Sequence, residues 1–158
     1  MIMKLDKKLL AKCIAIPVLV GVLSSLLTMG GMKAFETVNQ PPLSPPMWLF
    51  PVVWTILYVL MGVASYLVST SDADRKQISD AIGVYAAQLL VNFLWPIFFF
   101  HFQWYLFSFF WLLLLWVLVF ITMKRFYEIS KLAGYLLIPY LIWLTFAAYL
   151  NFGVWWKN

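Results

Sequence analysis

Acid–base and metal chemistry need titratable side chains gathered in a protected place, and this 158-residue chain keeps such groups out of its long apolar stretches. Five stretches, Cys13 to Met32, Met47 to Val68, Ala81 to Phe100, Tyr105 to Met123 and Leu132 to Trp156, contain no Asp, Glu, Lys or Arg. His101 is the sole histidine and Cys13 the sole cysteine, so no metal-ligand set at a recognisable spacing and no internal disulfide can be built. His101 could act as an axial haem ligand, or it could be an interfacial side chain at a helix end. What the stretches do hold is aromatic and carboxamide chemistry. Nine Trp, eight Tyr and fourteen Phe form 20% of the chain, too many for interfacial anchoring alone.

Trp48, Trp104, Trp155 and Trp156 fall at stretch ends, where an amphipathic ring favours the headgroup region. Trp54, Trp95, Trp111, Trp116 and Trp143 fall deeper, where an indole N–H requires a partner or a polar ligand. Helical spacing sorts several onto shared faces. Pro51, Trp54 and Tyr58 align in the second stretch, and Tyr85, Gln88, Asn92 and Trp95 in the third. In the fifth, Trp143, Ala147 and Asn151 align one turn after Pro139. These faces are too polar for lipid and must turn inward. Two readings stand side by side: the amides bond across helices while aromatics fill a core, or the faces line a cavity for a flat, largely apolar, polar-edged molecule such as a tetrapyrrole or sterol.

The elements that position these faces follow from the solvent. A helix crossing ~30 Å of hydrocarbon needs roughly 20 residues, and each of the five stretches has about that length. Unpaired backbone is intolerable in lipid and barrel-type alternation is missing, which predicts an all-α membrane protein, a five-transmembrane-helix bundle forming one domain over residues 1–158. Only 11% of residues are charged, so no water-soluble core is expected. Short connections predict that sequential helices are antiparallel neighbours. The net charge of +5 is scattered between apolar runs rather than gathered in a stripe, against a nucleic-acid partner. Lys4, Lys7, Lys8, Lys12, Arg75, Lys76, Lys124, Arg125 and Lys131 alternate with Lys33 and Lys157 so as to predict a cytoplasmic amino terminus. A cleaved signal peptide is the alternative for the first stretch, which is long for one. The longest connection holds Pro41, Pro42, Pro45 and Pro46, too stiff for a helix, and reads either as a lid over the bundle mouth or as a rigid connector.

The run Pro41-Pro42-Leu43-Ser44-Pro45-Pro46-Met47-Trp48-Leu49-Phe50-Pro51-Val52-Val53-Trp54-Thr55-Ile56-Leu57-Tyr58 closely resembles the TspO family of tryptophan-rich sensory proteins, which includes the mitochondrial translocator protein. Gln88, Asn92, Leu94, Trp95 and Pro96 resemble that family's third-helix motif, and Pro139 to Trp143 with Leu150-Asn151 its fifth-helix motif. The resemblance covers essentially the whole chain. It implies a five-helix bundle, often a homodimer, with a pocket beneath the first loop that binds porphyrins, benzodiazepine-type drugs and, in animal members, cholesterol. Phe50, Trp54, Asn92, Trp143 and Ala147 match pocket-lining positions, and Trp48 and Tyr58 lie in the same motif. The animal sterol pattern is broken here, because Leu150 is followed by Phe152 and only later by Lys157. A looser basic-aromatic-aliphatic match through Lys124, Phe126 and Leu132 arises easily by chance.

The expectation is therefore a membrane receptor or carrier for tetrapyrroles, linked to their homeostasis or to stress sensing. Trp48, Phe50, Trp54, Tyr58, Gln88, Asn92, Trp95, Trp143, Ala147 and Asn151 are its candidate ligand-binding residues. Protoporphyrin IX or haem would be a ligand, with no cofactor or metal required. One alternative is light-dependent porphyrin degradation, in which Trp54 or Trp143 supplies or quenches radicals. Another is a purely structural or assembly protein, with Gly83 and Ala87 permitting close helix contact or dimerisation.

Overall fold

Every backbone N–H and C=O in hydrocarbon must be satisfied within the protein, and the five apolar runs meet that demand as helices. The computed structural model describes residues 4–158 and is all-helical among them. α1 (Lys7–Phe35) and α2 (Leu49–Ser69) are followed by α3 (Arg75–Pro96), which continues into a π-helical turn (Ile97–His101); α4 (Tyr105–Ile129), α5 (Lys131–Leu136) and α6 (Ile138–Lys157) complete the chain. Five segments are long and apolar enough to cross a membrane, α3 with its π turn and α5 with α6 each counting as one. The five-helix bundle read from the sequence is the observed architecture.

Local chemistry sets the ends and interruptions. Asp6 caps α1 by accepting the Leu9 N–H at 3.1 Å, and its own N–H donates to the Tyr66 hydroxyl at 3.0 Å, tying the start of α1 to the end of α2. Pro96 lacks the N–H a regular helix needs there, and the register widens beyond it: the Phe102 N–H donates to the Ile97 carbonyl, a five-residue step, at 3.0 Å. Ser130 starts α5 by accepting from the Ala133 N–H at 3.3 Å, and Pro139 in the first turn of α6 accounts for the break at Leu137.

The helices close into a ring in the order α1, α2, α5 with α6, α4, α3 and back to α1. Sequential helices are neighbours except at one place, which corrects the sequence expectation: α2 and α3 hardly meet through their backbones. The reason lies in α1. Gly62 of α2 lies so close to Cys13 and Ile14 that a side chain there would collide with α1 backbone, and Gly31 lies equally close to the Phe100 carbonyl in the π turn. Gly21 lies against the Tyr58 ring. These small residues seat α1 beside both α2 and the π turn, holding α2 and α3 apart. Met61, Leu115, Val119, Phe126 and Leu144 belong to the main buried core. A smaller group, Phe35, Phe99 and Val154, packs at the end of the bundle opposite the amino terminus. Gly83 and Ala87 lie on the outward face of α3.

The proline-rich loop between α1 and α2 returns across that opposite end. At its tip Leu43 is 82% exposed and holds a φ of 69°, a left-handed conformation uncommon for leucine.

Glycine at 62 is required by packing rather than by helix propensity, which favours Ala by about 1 kcal/mol. Gly62→Ala should lower the unfolding temperature in detergent, whereas Gly30→Ala, with nothing within 4 Å of the new methyl, should hold or raise it. Equal responses would show that α1 and α2 do not pack through Gly62.

Candidate functional site

Because α2 and α3 are held apart, the space between them is bridged by long side chains at one level and left open at another. The bridge is a directional chain of hydrogen bonds. The Tyr58 hydroxyl donates to Asn92 Oδ1 at 2.7 Å, Asn92 Nδ2 donates to the Tyr140 hydroxyl at 2.6 Å, and that hydroxyl donates to Gln88 Oε1 at 2.8 Å. Gln88 Nε2 ends the chain on Met61 Sδ at 3.9 Å. All four polar residues are buried, and they join α2, α3 and α6. A second bridge runs from Trp95 Nε1 to Asn151 Oδ1 at 3.0 Å and from Asn151 Nδ2 to the Tyr105 carbonyl at 2.8 Å, joining α3, α6 and α4.

Above the first bridge lies a cavity of about 440 Å³, within the ~300–1,000 Å³ typical of drug-sized ligand sites. Helical stripes make its walls. α2 contributes Phe50, Trp54 and Tyr58, α3 contributes Asn92 and Trp95, and α6 contributes Trp143, Ala147 and Asn151. Trp54 stacks on Tyr58 with centroids 5.6 Å apart, Phe50 meets Trp143 edge-on at 5.9 Å, and Trp95 stacks on Phe99 at 5.0 Å. Gln40, Ser44 and Met47 bring the proline-rich loop over one end, the lid-like of the two arrangements considered. Among the described residues no Asp, Glu, Lys, Arg or His lines the cavity, so it can enclose an apolar ring system without facing it with a charge.

Eight of the ten sequence-selected residues meet around this space. Trp48 and Gln88 do not. Trp48 is 67% exposed at the start of α2; six residues before Trp54 is a rotation of roughly 240°, which turns it outward. Gln88 lies one turn below Asn92, under the floor and bonded to Tyr140. His101 is exposed at the end of the π turn, away from the cavity, so it offers no axial ligand there. Among the described residues no three His, Cys, Asp or Glu gather to hold a metal.

The polar faces both bond across helices and border a hollow. The amides of Gln88, Asn92 and Asn151 bond across helices, while the aromatic rings line the hollow. Three of the five deep indoles also have structural partners: Trp95 on Asn151, Trp111 on the Val91 carbonyl at 2.8 Å, and Trp116 on Thr145 at 2.9 Å. Trp143 Nε1 is buried with no partner among the described residues.

Sequence reasoning missed the contribution of α1 altogether. Gly21, Ser24, Thr28, Met32 and Phe35 form its cavity-facing stripe. The signal was present as small and hydroxylic residues three to four apart in a leucine-rich helix. Ser24 donates to the Phe93 carbonyl at 3.1 Å, and Thr28 bonds back to the Ser24 carbonyl at 2.9 Å.

A multi-pass membrane bundle of five helices around an uncharged, tryptophan-walled cavity, with a proline-rich loop across one end, is the class of protein these features define. The profile of the TspO/MBR family matches residues 13–157, and the chain belongs to that family. It is 38% identical over 146 residues to the tryptophan-rich protein TspO of Chlorobaculum tepidum, covering 92% of each chain. It is 36% identical over 124 residues to protein CrtK of Rhodobacter capsulatus, covering 78% of each, and 36% identical over 129 residues to the translocator protein of Ovis aries, covering 81% of this chain and 76% of that one.

Removing the Tyr140 hydroxyl would leave Asn92 Nδ2 and Gln88 Oε1 buried without their partner. Tyr140→Phe should destabilise the bundle by about 1–3 kcal/mol, the cost of unsatisfied buried groups. Tyr85→Phe, which removes a buried hydroxyl that has no partner among the described residues, should cost far less. Unfolding of both variants in mixed micelles provides the comparison.

Proposed function

We propose that the cavity binds planar, largely apolar tetrapyrroles such as protoporphyrin IX or haem, and that the protein is a membrane receptor or carrier for them, serving tetrapyrrole homeostasis or stress sensing. Benzodiazepine-type molecules, aromatic and weakly polar, suit the same walls. The observation that carries this reading is the uncharged aromatic lining, to which α2 contributes Trp54 and α6 contributes Trp143. Ring faces stack favourably on such walls. A protein whose aromatics served only to pack would close this space, so the cavity favours binding over a purely structural role.

Protoporphyrin IX titrated into the purified protein should quench tryptophan fluorescence saturably. Trp54→Ala and Trp143→Ala should each weaken binding about tenfold, ~1.4 kcal/mol, while Trp116→Phe, away from the cavity, should not. Unchanged affinity in the Trp54→Ala, Trp143→Ala double variant would remove this site from consideration. Illuminating the complex adds a second readout: products formed faster than with denatured protein would add porphyrin oxidation to binding.

Two further features belong to this reading. The end of the bundle that carries the amino terminus holds nine of the eleven Lys and Arg, which supports a cytoplasmic location for that end. The self-association implied by the family fits the outward Gly83 and Ala87 face of α3, where a side chain added at Gly83 would meet no other helix among the described residues. Gly83→Leu should reduce cross-linked dimer in membranes, and undiminished dimer would assign the contact to another face.

A further inference from the structure

A cavity that exchanges its contents needs an opening, and two regions of its boundary qualify. The first is the end crossed by the proline-rich loop. That loop is fastened to α6 at several points. Asn158 Nδ2 donates to the Asn39 carbonyl at 2.8 Å, and the Asn39 N–H donates back to Asn158 Oδ1 at 3.3 Å. The Tyr149 hydroxyl donates to the Pro42 carbonyl at 2.8 Å. The buried Pro41 ring fills a notch at Gly153 that any side chain on that residue would occupy. Opening this end means breaking three hydrogen bonds and withdrawing a buried ring together.

The second region is the side wall between α1 and α2. These helices approach closely where Gly62 meets Cys13 and Ile14, and α1 meets the Tyr58 ring at Gly21. Nearer the loop the close contact of α1 is with the π turn, with Gly31 against Phe100. The cavity extends into the cleft. Val22 and Leu26 of α1 and Pro51 and Thr55 of α2 line it, yet all four are also exposed on the outside of the bundle, Val22 at 47% and Leu26 at 61%. Side chains that belong to both an inner wall and the outer surface mark a gap. Thr55 lies six residues into its helix, ~9 Å along the axis, so the outside there is acyl chain rather than water. Its hydroxyl bonds back to the Pro51 carbonyl at 2.7 Å, which leaves the rim apolar.

We propose that the cavity exchanges with the bilayer laterally, through the cleft between α1 and α2, while the loop remains fastened to α6. The inference rests on reading the cavity as a binding site, and it narrows the guest to a planar amphiphile that partitions into lipid before it binds. The relevant concentration of such a guest is its concentration in the membrane.

The test uses the full chain in proteoliposomes, with Cys13→Ser removing the native thiol and Ala147→Cys placing one on the cavity wall, at a residue now 7% exposed. Pyrene maleimide dissolved in the lipid should label this thiol faster than a charged, water-soluble maleimide. Adding Leu26→Trp or Thr55→Trp, prepared separately so that misfolding of one leaves the other, should slow lipid-borne labelling roughly tenfold, a rise of ~1.4 kcal/mol in the barrier. Asn158→Ala, which removes two of the three hydrogen bonds that fasten the loop to α6, should leave that rate unchanged. The lateral route is overturned if Asn158→Ala accelerates labelling by the water-soluble reagent past the lipid-borne one, or if neither cleft substitution changes the rate. Stopped-flow mixing with protoporphyrin IX adds a second arm, in which the cleft variants should slow association and dissociation together. Lack of porphyrin binding by the unsubstituted protein would overturn the ligand reading alone, since thiol labelling reports the route without it.

Discussion

A polar group inside hydrocarbon has no water to fall back on, and the arrangement of this bundle depends on how that constraint is met by Tyr58, Asn92, Tyr140 and Gln88. Their chain of donors and acceptors runs one way, from hydroxyl to amide to hydroxyl to amide, and each link crosses between helices. Shifting any of the three helices along its axis by a turn, ~5.4 Å, would break links that lipid cannot replace. The chain therefore fixes the relative heights of α2, α3 and α6. It does so between α2 and α3, which make little direct backbone contact, so side chains perform there what close packing performs elsewhere.

The cavity is the complement of that bridge. Where the polar chain spans the space, the bundle is filled; one turn further on, the same gap is bounded by rings that meet edge-on or stacked but leave room between opposing helices. Indole and phenol groups suit such walls because they are large and stiff, with few rotamers to order when a guest arrives. With amides engaged across helices and rings facing the void, one set of motifs both ties the bundle together and walls the hollow.

Much of this was legible in the sequence for physical reasons. Charge-free runs of about twenty residues identify crossing helices because bilayer thickness and helical rise are fixed quantities. The spacings Trp54 to Tyr58, Asn92 to Trp95 and Trp143 to Ala147 put those residues on common inward faces, and eight of the ten selected side chains do meet. Trp48 shares a motif with Trp54, yet helical rotation turns it outward. Gln88 shares the right face but lies a turn too deep, a distinction that periodicity alone cannot make. The contribution of α1 was hidden because Ser24 and Thr28 sit among leucines whose lipid-facing role dominates the pattern. The separation of α2 from α3 was not legible either, since it arises from glycines that act on a third helix.

The π turn after Pro96 amounts to one surplus residue in the helical count. The backbone is unwound through it relative to an uninterrupted α-helix, and within it Phe99 and Phe100 both meet Phe35 of α1. Losing a single codon within this turn would restore a regular spiral and swing those rings off their seat, with hydrophobicity, length and charge almost untouched. Selection can thus retune the chamber through insertion and deletion at this point, a route that residue-by-residue substitution does not offer.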